Sequence, residues 1–109
     1  QKCDLLYLNL SFIEQHYSED ISIEDISSSC GLNRSYFSKV FRDTMGESPQ
    51  GFLLHYRMAR AAQLLTESRL PISTISTMVS YPNQLHFSRA FKNVYGISPR
   101  DYRAKHLAL

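Results

Sequence analysis

The side chains best suited to chemistry in this sequence are two pairs of cations that recur at a fixed spacing. Lys39 and Arg42 in one segment match Arg89 and Lys92 in another, fifty residues further along the chain. In both segments the cations stand between regularly spaced apolar residues, so a helix would direct them away from its buried face. Cations repeated in this way favour two similar contacts with a polyanion such as nucleic acid.

The sequence offers little material for catalysis or for a cofactor. It has no Gly-rich phosphate loop, no suggested pairing of a nucleophile with a base, and no carboxylate motif. His16, His55 and His106 stand alone, without metal-ligand spacing. Cys3 and Cys30 suit a reduced cytosolic chain, in which we expect both to be buried or incidental thiols. We therefore expect neither an enzyme, nor a metal site, nor a cofactor.

Length and composition indicate an ordered fragment of a longer soluble protein. The chain has 109 residues, 43% of them apolar, which allows one modest core or two small ones. Its opening residues, from Gln1, lack the basic stretch and long apolar run that are typical of a signal peptide. No run approaches the roughly 20 apolar residues that span a bilayer. Residues 1–33 hold one cation against six carboxylates, whereas residues 34–109 hold eleven cations against four carboxylates. A basic face is thus expected in the later part of the chain.

Apolar periodicity predicts an all-α fold of seven helices. The signals that begin or end these helices are Ser22 with Asp25, Asn33, Gly46, Ser48 with Pro49, Pro71, the turn at Tyr81-Pro82-Asn83, Gly96, and Ser98 with Pro99. They divide the chain into a first helix-turn-helix unit (about residues 1–47), a long connector helix (about 48–68) and a second helix-turn-helix unit (about 69–109).

Helical spacing also predicts which side chains are buried. Up to the end of the connector they are Leu6, Leu10, Ile13, Tyr17, Ile23, Ile26, Cys30, Phe37, Val40, Phe41, Met45, Leu54, Met58, Ala61 and Leu65. In the second unit they are Ile72, Ile75, Val79, Phe87, Ala90, Phe91 and Tyr95.

The two cation-bearing segments are copies of one pattern. Residues 37–52 match residues 87–102 at a constant offset of fifty, with six identical positions. Upstream, residues 23–30 match residues 72–79 at an offset of forty-nine, so the second turn is one residue longer. Each copy therefore contains a short helix, a tight turn and a second helix, which is the helix-turn-helix arrangement.

This arrangement suits DNA, because the major groove is about 12 Å wide and its base edges form hydrogen bonds with polar side chains. A connector of about 19 residues would be about 30 Å long, compatible with the roughly 34 Å between sites on one face of DNA. Exposed helix faces also bind protein partners, so a helical protein-interaction module is the alternative. The repeated outward cations favour DNA.

The pattern resembles the AraC/XylS family of transcription regulators over nearly the whole chain. The resemblance is strongest in Gln84-Leu85-His86-Phe87-Ser88-Arg89-Ala90-Phe91-Lys92 and in Gly96-Ile97-Ser98-Pro99-Arg100-Asp101-Tyr102-Arg103. The first copy follows the same pattern from Tyr36 to Arg42 and from Gly46 to Pro49. Ser27, Ser76 and Ser80 stand where the family often has Ala, Ala and Gly, a departure that concerns local packing.

The resemblance implies a carboxy-terminal DNA-binding domain whose third and sixth helices enter successive major-groove segments. It implies a cytoplasmic activator or repressor of transcription with double-stranded DNA as partner. It further implies RNA polymerase as a partner of the full-length protein, and a separate effector-binding or dimerising domain outside this fragment.

Matched position by position, the resemblance also implies site residues. Those expected to read bases are Ser35, Ser38, Lys39, Gln84, His86, Ser88 and Arg89, and those expected to contact phosphates are Arg34, Arg42, Lys92 and Asn93. Arg89 is the strongest base reader because a guanidinium can bond both acceptors of guanine, with phosphate contact or a solvated position as its alternatives. For Lys39 the same roles stay open. Gln84 either reads adenine or caps its helix, and His86 fits a neutral side chain lining the groove.

Overall fold

The computed structural model describes the backbone of residues 2–107 and the side chains of residues 9–107. Within that range the chain forms seven α-helices and no β-strand, which confirms the all-α prediction. The helices are α1 (Lys2–His16), α2 (Ile23–Ser29), α3 (Arg34–Met45), α4 (Pro49–Glu67), α5 (Ile72–Met78), α6 (Gln84–Tyr95) and α7 (Pro99–His106). The chain divides into an amino-terminal lobe, Gln1–Leu54, and a carboxy-terminal lobe, His55–Leu109.

Local signals bound the helices of the amino-terminal lobe as the sequence predicts. Ser22 and Asp25 form a capping box: the Asp25 amide donates to Ser22 Oγ at 3.1 Å, and the Ser22 amide donates to Asp25 Oδ2 at 2.9 Å. Asn33 Oδ1 accepts a hydrogen bond from the Tyr36 amide at 2.9 Å and so begins α3. Gly46 ends α3 with a φ of 82°, a conformation that glycine adopts without a Cβ clash. These contacts satisfy backbone groups that a helix end leaves unpaired.

The same devices act in the carboxy-terminal lobe. Asn83 Oδ1 accepts hydrogen bonds from the amides of Leu85 at 2.9 Å and His86 at 3.1 Å, and it therefore caps α6. Ser98 Oγ accepts from the Asp101 amide at 3.1 Å at the start of α7. Pro71 precedes α5 by one residue and gives it no side-chain cap.

Most of the predicted apolar faces are buried. The buried set comprises Ile13, Ile23, Ile26, Phe37, Val40, Phe41, Met58, Ala61, Leu65, Ile75, Val79, Phe87 and Phe91. Partly buried are Leu10, Tyr17, Cys30, Met45, Ile72 and Ala90. The side chains of Cys3 and Leu6 lie outside the described residues.

The burial prediction is wrong at Tyr95, and Leu54 is one more of the partly buried residues. In α4, Leu53 is buried, whereas the next residue, Leu54, is only partly buried. Two consecutive leucines are equally apolar, so only the packing of the folded lobe selects one of them. Tyr95 is 36% exposed, although its ring stacks on Phe91 at 4.6 Å between centroids. Its position in the last turn of α6 leaves one side of the ring open to solvent, and partial burial together with Tyr102 raises its pKa.

Two serines stand where the family that the sequence resembles often has alanine, and both have hydrogen-bond partners in this fold. Both Ser27 and Ser76 are buried. Ser27 Oγ donates to the Glu24 carbonyl at 3.1 Å, and Ser76 Oγ donates to the carbonyl of Tyr81 in the second turn. A buried hydroxyl destabilises a fold only when it lacks a partner, so these substitutions are compatible with the packing.

Arg103 holds the carboxyl end of α4. Its Nε donates to the Leu65 carbonyl at 3.0 Å, and its Nη2 donates to the Ser68 carbonyl at 3.4 Å. The last carbonyls of a helix lack partners within the helix and form its negative end, so a guanidinium stabilises them. No local pattern predicts this role for Arg103, because its partners precede it by 38 and 35 residues.

The two helix-turn-helix turns share one hydrogen-bonding scheme. The Leu32 amide donates to the Ser27 carbonyl at 3.1 Å, and the Tyr81 amide donates to the Ser76 carbonyl at 2.9 Å. The residue with positive φ is Gly31 at 72° in the first turn and Ser80 at 68° in the second. A Cβ atom is disfavoured in this conformation, so the second turn carries strain that the first does not.

Replacing Ser80 with glycine is therefore expected to raise the free energy of unfolding by about 1 kcal/mol, because the Cβ strain is removed. Gly31→Ser should lower it by a similar amount, since open space around Gly31 leaves the backbone as the only cause. Urea unfolding of the three proteins measures both changes. Ser80→Ala is the control, and a gain in stability there would mean that loss of the hydroxyl, and not relief of the backbone, is responsible.

Candidate nucleic-acid interface

α3 has a buried apolar face and an exposed polar face. Phe37, Val40 and Phe41 are buried, and Phe41 packs edge-on against Phe52 with ring centroids 5.5 Å apart. Because the apolar residues are fixed inside the lobe, the remaining positions of the helix point outward. The predicted site residues on α3 lie there: Arg34, Ser35, Lys39 and Arg42 are exposed, and Ser38 is partly buried.

α6 repeats this arrangement. Phe87 and Phe91 are fully buried, with ring centroids 5.9 Å apart, and Phe91 meets Tyr102 of α7 at 5.3 Å. The predicted residues on its outer face are Gln84, His86, Arg89, Lys92 and Asn93, all exposed, and Ser88, which is partly buried. Asn83 supplies the cap of α6, so that role is not needed from Gln84.

Two cations of the first unit are paired with carboxylates. Arg34 Nη1 lies 2.6 Å from Glu24 Oε2 of α2, and Lys39 Nζ lies 3.0 Å from Asp43 Oδ2 one turn further along α3. The pKa of Glu24 is lowered, mainly by hydrogen bonding to its own backbone amide and further by Arg34. Both pairs are well exposed to solvent, so they contribute little to stability. They nevertheless place negative charge beside the cations that would meet a polyanion.

The second unit lacks these carboxylates. The repeat aligns Asn93 with Asp43, and it aligns Ser73 with Glu24. Among the residues that the structure describes, no carboxylate lies within ion-pair distance of Arg89 or Lys92. Among the described residues, both cations on the outer face of α6 therefore lack a carboxylate partner, whereas on α3 only Arg42 does.

One exposed residue on the outer face of α6 was missed by the sequence analysis. Leu85 is 57% exposed in the first turn of the helix, between Gln84 and His86. Its apolar character excluded it from a search for polar side chains. The repeat contained a usable signal, since Leu85 aligns with the outward Ser35.

No three His, Cys, Asp or Glu side chains within the described part of the chain are grouped as a metal ion would require. None of the described helices combines the length and apolar content needed to cross a membrane.

Sequence comparisons find similarity to a helix-turn-helix family and to regulators of transcription. Residues 26–105 match the family described as "Helix-turn-helix domain". The probable transcriptional regulator LumQ of Photobacterium leiognathi is 36% identical over 93 residues, which cover 85% of this chain and 38% of LumQ. The lactose operon transcription activator of Staphylococcus xylosus is 37% identical over 94 residues, which cover 86% of this chain and 34% of the activator. The chain thus spans little more than a third of these relatives.

Solved structures show the same fold. One of them is the C-terminal domain of AraT, a response regulator from Geobacillus stearothermophilus. It superposes on this chain with a TM-score of 0.92 at 31% identity, and the match covers 96% of this chain and 88% of the AraT domain. The DNA-binding domain of AdpA, solved in complex with a target DNA, superposes with a TM-score of 0.87 at 23% identity over 93% of this chain and 90% of that one. With two helix-turn-helix units, two exposed basic helix faces and these relatives, the chain belongs to the AraC-type family of helix-turn-helix DNA-binding domains.

Proposed function

We propose that this chain is the part of a transcription regulator that binds double-stranded DNA by sequence, with α3 and α6 as the two recognition helices. The observation that carries the proposal is the repetition of one surface: a helix whose phenylalanines are buried and whose polar and basic residues are exposed occurs once in each lobe. A recognition helix needs such a surface because its outer face must bond base edges while the inner face holds it to the domain.

The proposed contacts follow from the chemistry of each exposed side chain. Arg89 bonds O6 and N7 of a guanine, and Gln84 is available to bond an adenine because Asn83 already caps the helix. Ser35, Ser38 and Lys39 read bases in the first unit, as do His86 and Ser88 in the second. Phosphate contacts are proposed for Arg34, Arg42, Lys92 and Asn93. No catalytic step and no cofactor enters this function.

The two units are proposed to contribute unequally to affinity. To contact phosphates or bases, Arg34 and Lys39 must either break their ion pairs with Glu24 and Asp43 or bind with these carboxylates close to the DNA. Arg89 and Lys92 face no such competition among the described residues. Each neutralised phosphate releases condensed counterions. Among the described residues, α6 has two unpaired cations and α3 has only Arg42, so the second unit should supply most of the electrostatic affinity.

The rest of such a regulator is expected to lie outside this chain. Since the chain covers little more than a third of its relatives, we propose that a separate domain binds an effector or dimerises, and that the full-length protein contacts RNA polymerase in the cytoplasm. These partners do not act through the outer faces of α3 and α6, which the DNA would cover.

Affinity for duplex DNA is expected to fall steeply with salt, since cations on both outer faces displace counterions from phosphates. On logarithmic axes the slope should be roughly −0.9 for each phosphate neutralised. Fluorescence anisotropy of a labelled duplex, titrated at salt concentrations from roughly 50 to 200 mM, measures this slope. Lys92→Ala should make the slope shallower by about one contact. A slope near zero would instead favour a protein-interaction module.

A further inference from the structure

The outer face of α6 carries a large apolar side chain that does not pack into the hydrophobic core of the lobe. Leu85 is 57% exposed, while Phe87 and Phe91 of the same helix are fully buried. An isolated exposed leucine is common on protein surfaces and needs no explanation by itself. The position of Leu85 indicates a function, because this residue lies among those proposed to contact the bases.

Leu85 occupies the part of a recognition helix that usually reaches deepest into the groove. It is the second residue of α6, and N-terminal residues of such helices contact base edges. Its amide donates to Asn83 Oδ1 at 2.9 Å, so the backbone that carries the side chain is held by the cap. Arg89 lies one helical turn further along the same ridge, at the i+4 position. The aligned residue of the first unit, Ser35, is exposed as well.

A leucine side chain can neither donate nor accept a hydrogen bond, which limits what it can recognise. In the major groove of unmodified DNA, the C5-methyl group of thymine is the apolar group on the base edges, and the remaining groups are donors and acceptors. Contact between leucine and a methyl group removes apolar surface from water. Contact between leucine and a polar base edge would leave the donors and acceptors of that edge without hydrogen-bond partners. A leucine that contacts a base edge would therefore favour thymine over cytosine at that position.

We propose, resting on the proposed DNA-binding function, that Leu85 is a specificity-determining residue that packs against the C5-methyl group of a thymine in the site read by the second unit. The first unit has Ser35 at the aligned position and therefore has no equivalent preference for thymine. The two units thereby read different base sequences despite their internal repeat.

The test uses a duplex selected by this chain from random sequences, in which single thymines are then replaced by deoxyuridine. This replacement removes one methyl group and changes no hydrogen-bonding group. Wild-type protein should bind one of the substituted duplexes about fourfold more weakly, the effect of burying about one methyl group. Leu85→Ala should bind the methylated and unmethylated forms of that duplex equally well. Leu85→Met, which keeps an apolar side chain, should retain part of the discrimination.

Leu107→Ala is the control, because it truncates another exposed leucine outside α6. It should show the same deoxyuridine response as the wild type. The proposal is overturned if the selected duplex holds no required thymine, if deoxyuridine is tolerated at every position, or if Leu85→Ala keeps the full loss. Failure of the wild-type chain to bind any duplex at low salt would refute the DNA-binding function as well, so the two failures are distinguishable.

Discussion

Arg89→Ala is expected to weaken binding to the cognate duplex by about 1–3 kcal/mol and to relax the preference at one base pair. Arg89 is exposed on α6, and its guanidinium can donate two parallel hydrogen bonds to O6 and N7 of guanine. Alanine leaves both acceptors without a protein donor. Titration of wild type and variant against a panel of single-base operator variants measures the loss at each position.

Lys92→Ala is the matched control for Arg89, since it removes an exposed cation from the same helix without removing the planar donor pair. It should weaken binding to all sequences alike. Neither change should shift the free energy of unfolding by more than about 0.5 kcal/mol, because neither side chain is buried. Equal losses of Arg89→Ala across every operator variant would identify Arg89 as a phosphate contact and would contradict the base-reading role.

Introducing a negative charge at position 93 is expected to weaken DNA binding by roughly 2 kcal/mol, on the order of thirtyfold. Asn93→Asp places a carboxylate where it would repel phosphates. It would also lie one turn beyond Arg89, as Asp43 lies one turn beyond Lys39 at 3.0 Å. The new carboxylate would therefore compete with DNA for the arginine. Anisotropy titrations at fixed salt measure the change.

The reciprocal substitution, Asp43→Asn, should strengthen binding by about tenfold, because it releases Lys39 and removes a negative charge. The exposed Lys39–Asp43 pair contributes little to stability, so this variant should unfold at nearly the same urea concentration as the wild type. The proposed inequality of the two units is contradicted if both substitutions leave the affinity unchanged, or if Asp43→Asn weakens binding.

The features that the sequence determined by itself are those that depend on neighbouring residues. The capping box of Ser22 and Asp25, the cap at Asn33 and the stop at Gly46 each join groups within a few residues of one another. Apolar periodicity likewise predicted the buried faces of α3 and α6, and hence that their polar residues face outward. Such signals need no knowledge of the rest of the chain, since helix geometry fixes the relation between residues three or four apart.

The tertiary structure alone decided the features that depend on distant segments or on small differences in packing. The Arg34–Glu24 pair joins two helices, and Arg103 reaches a carbonyl 38 residues earlier, so neither contact is visible as a local pattern. Apolar periodicity predicts on which face of a helix a residue lies, but not how much of that face the lobe covers. Packing therefore decided that Leu53 is more deeply buried than Leu54, and that part of the Tyr95 ring is exposed to solvent. The exposure of Leu85 likewise follows from which face of α6 its phenylalanines hold inside.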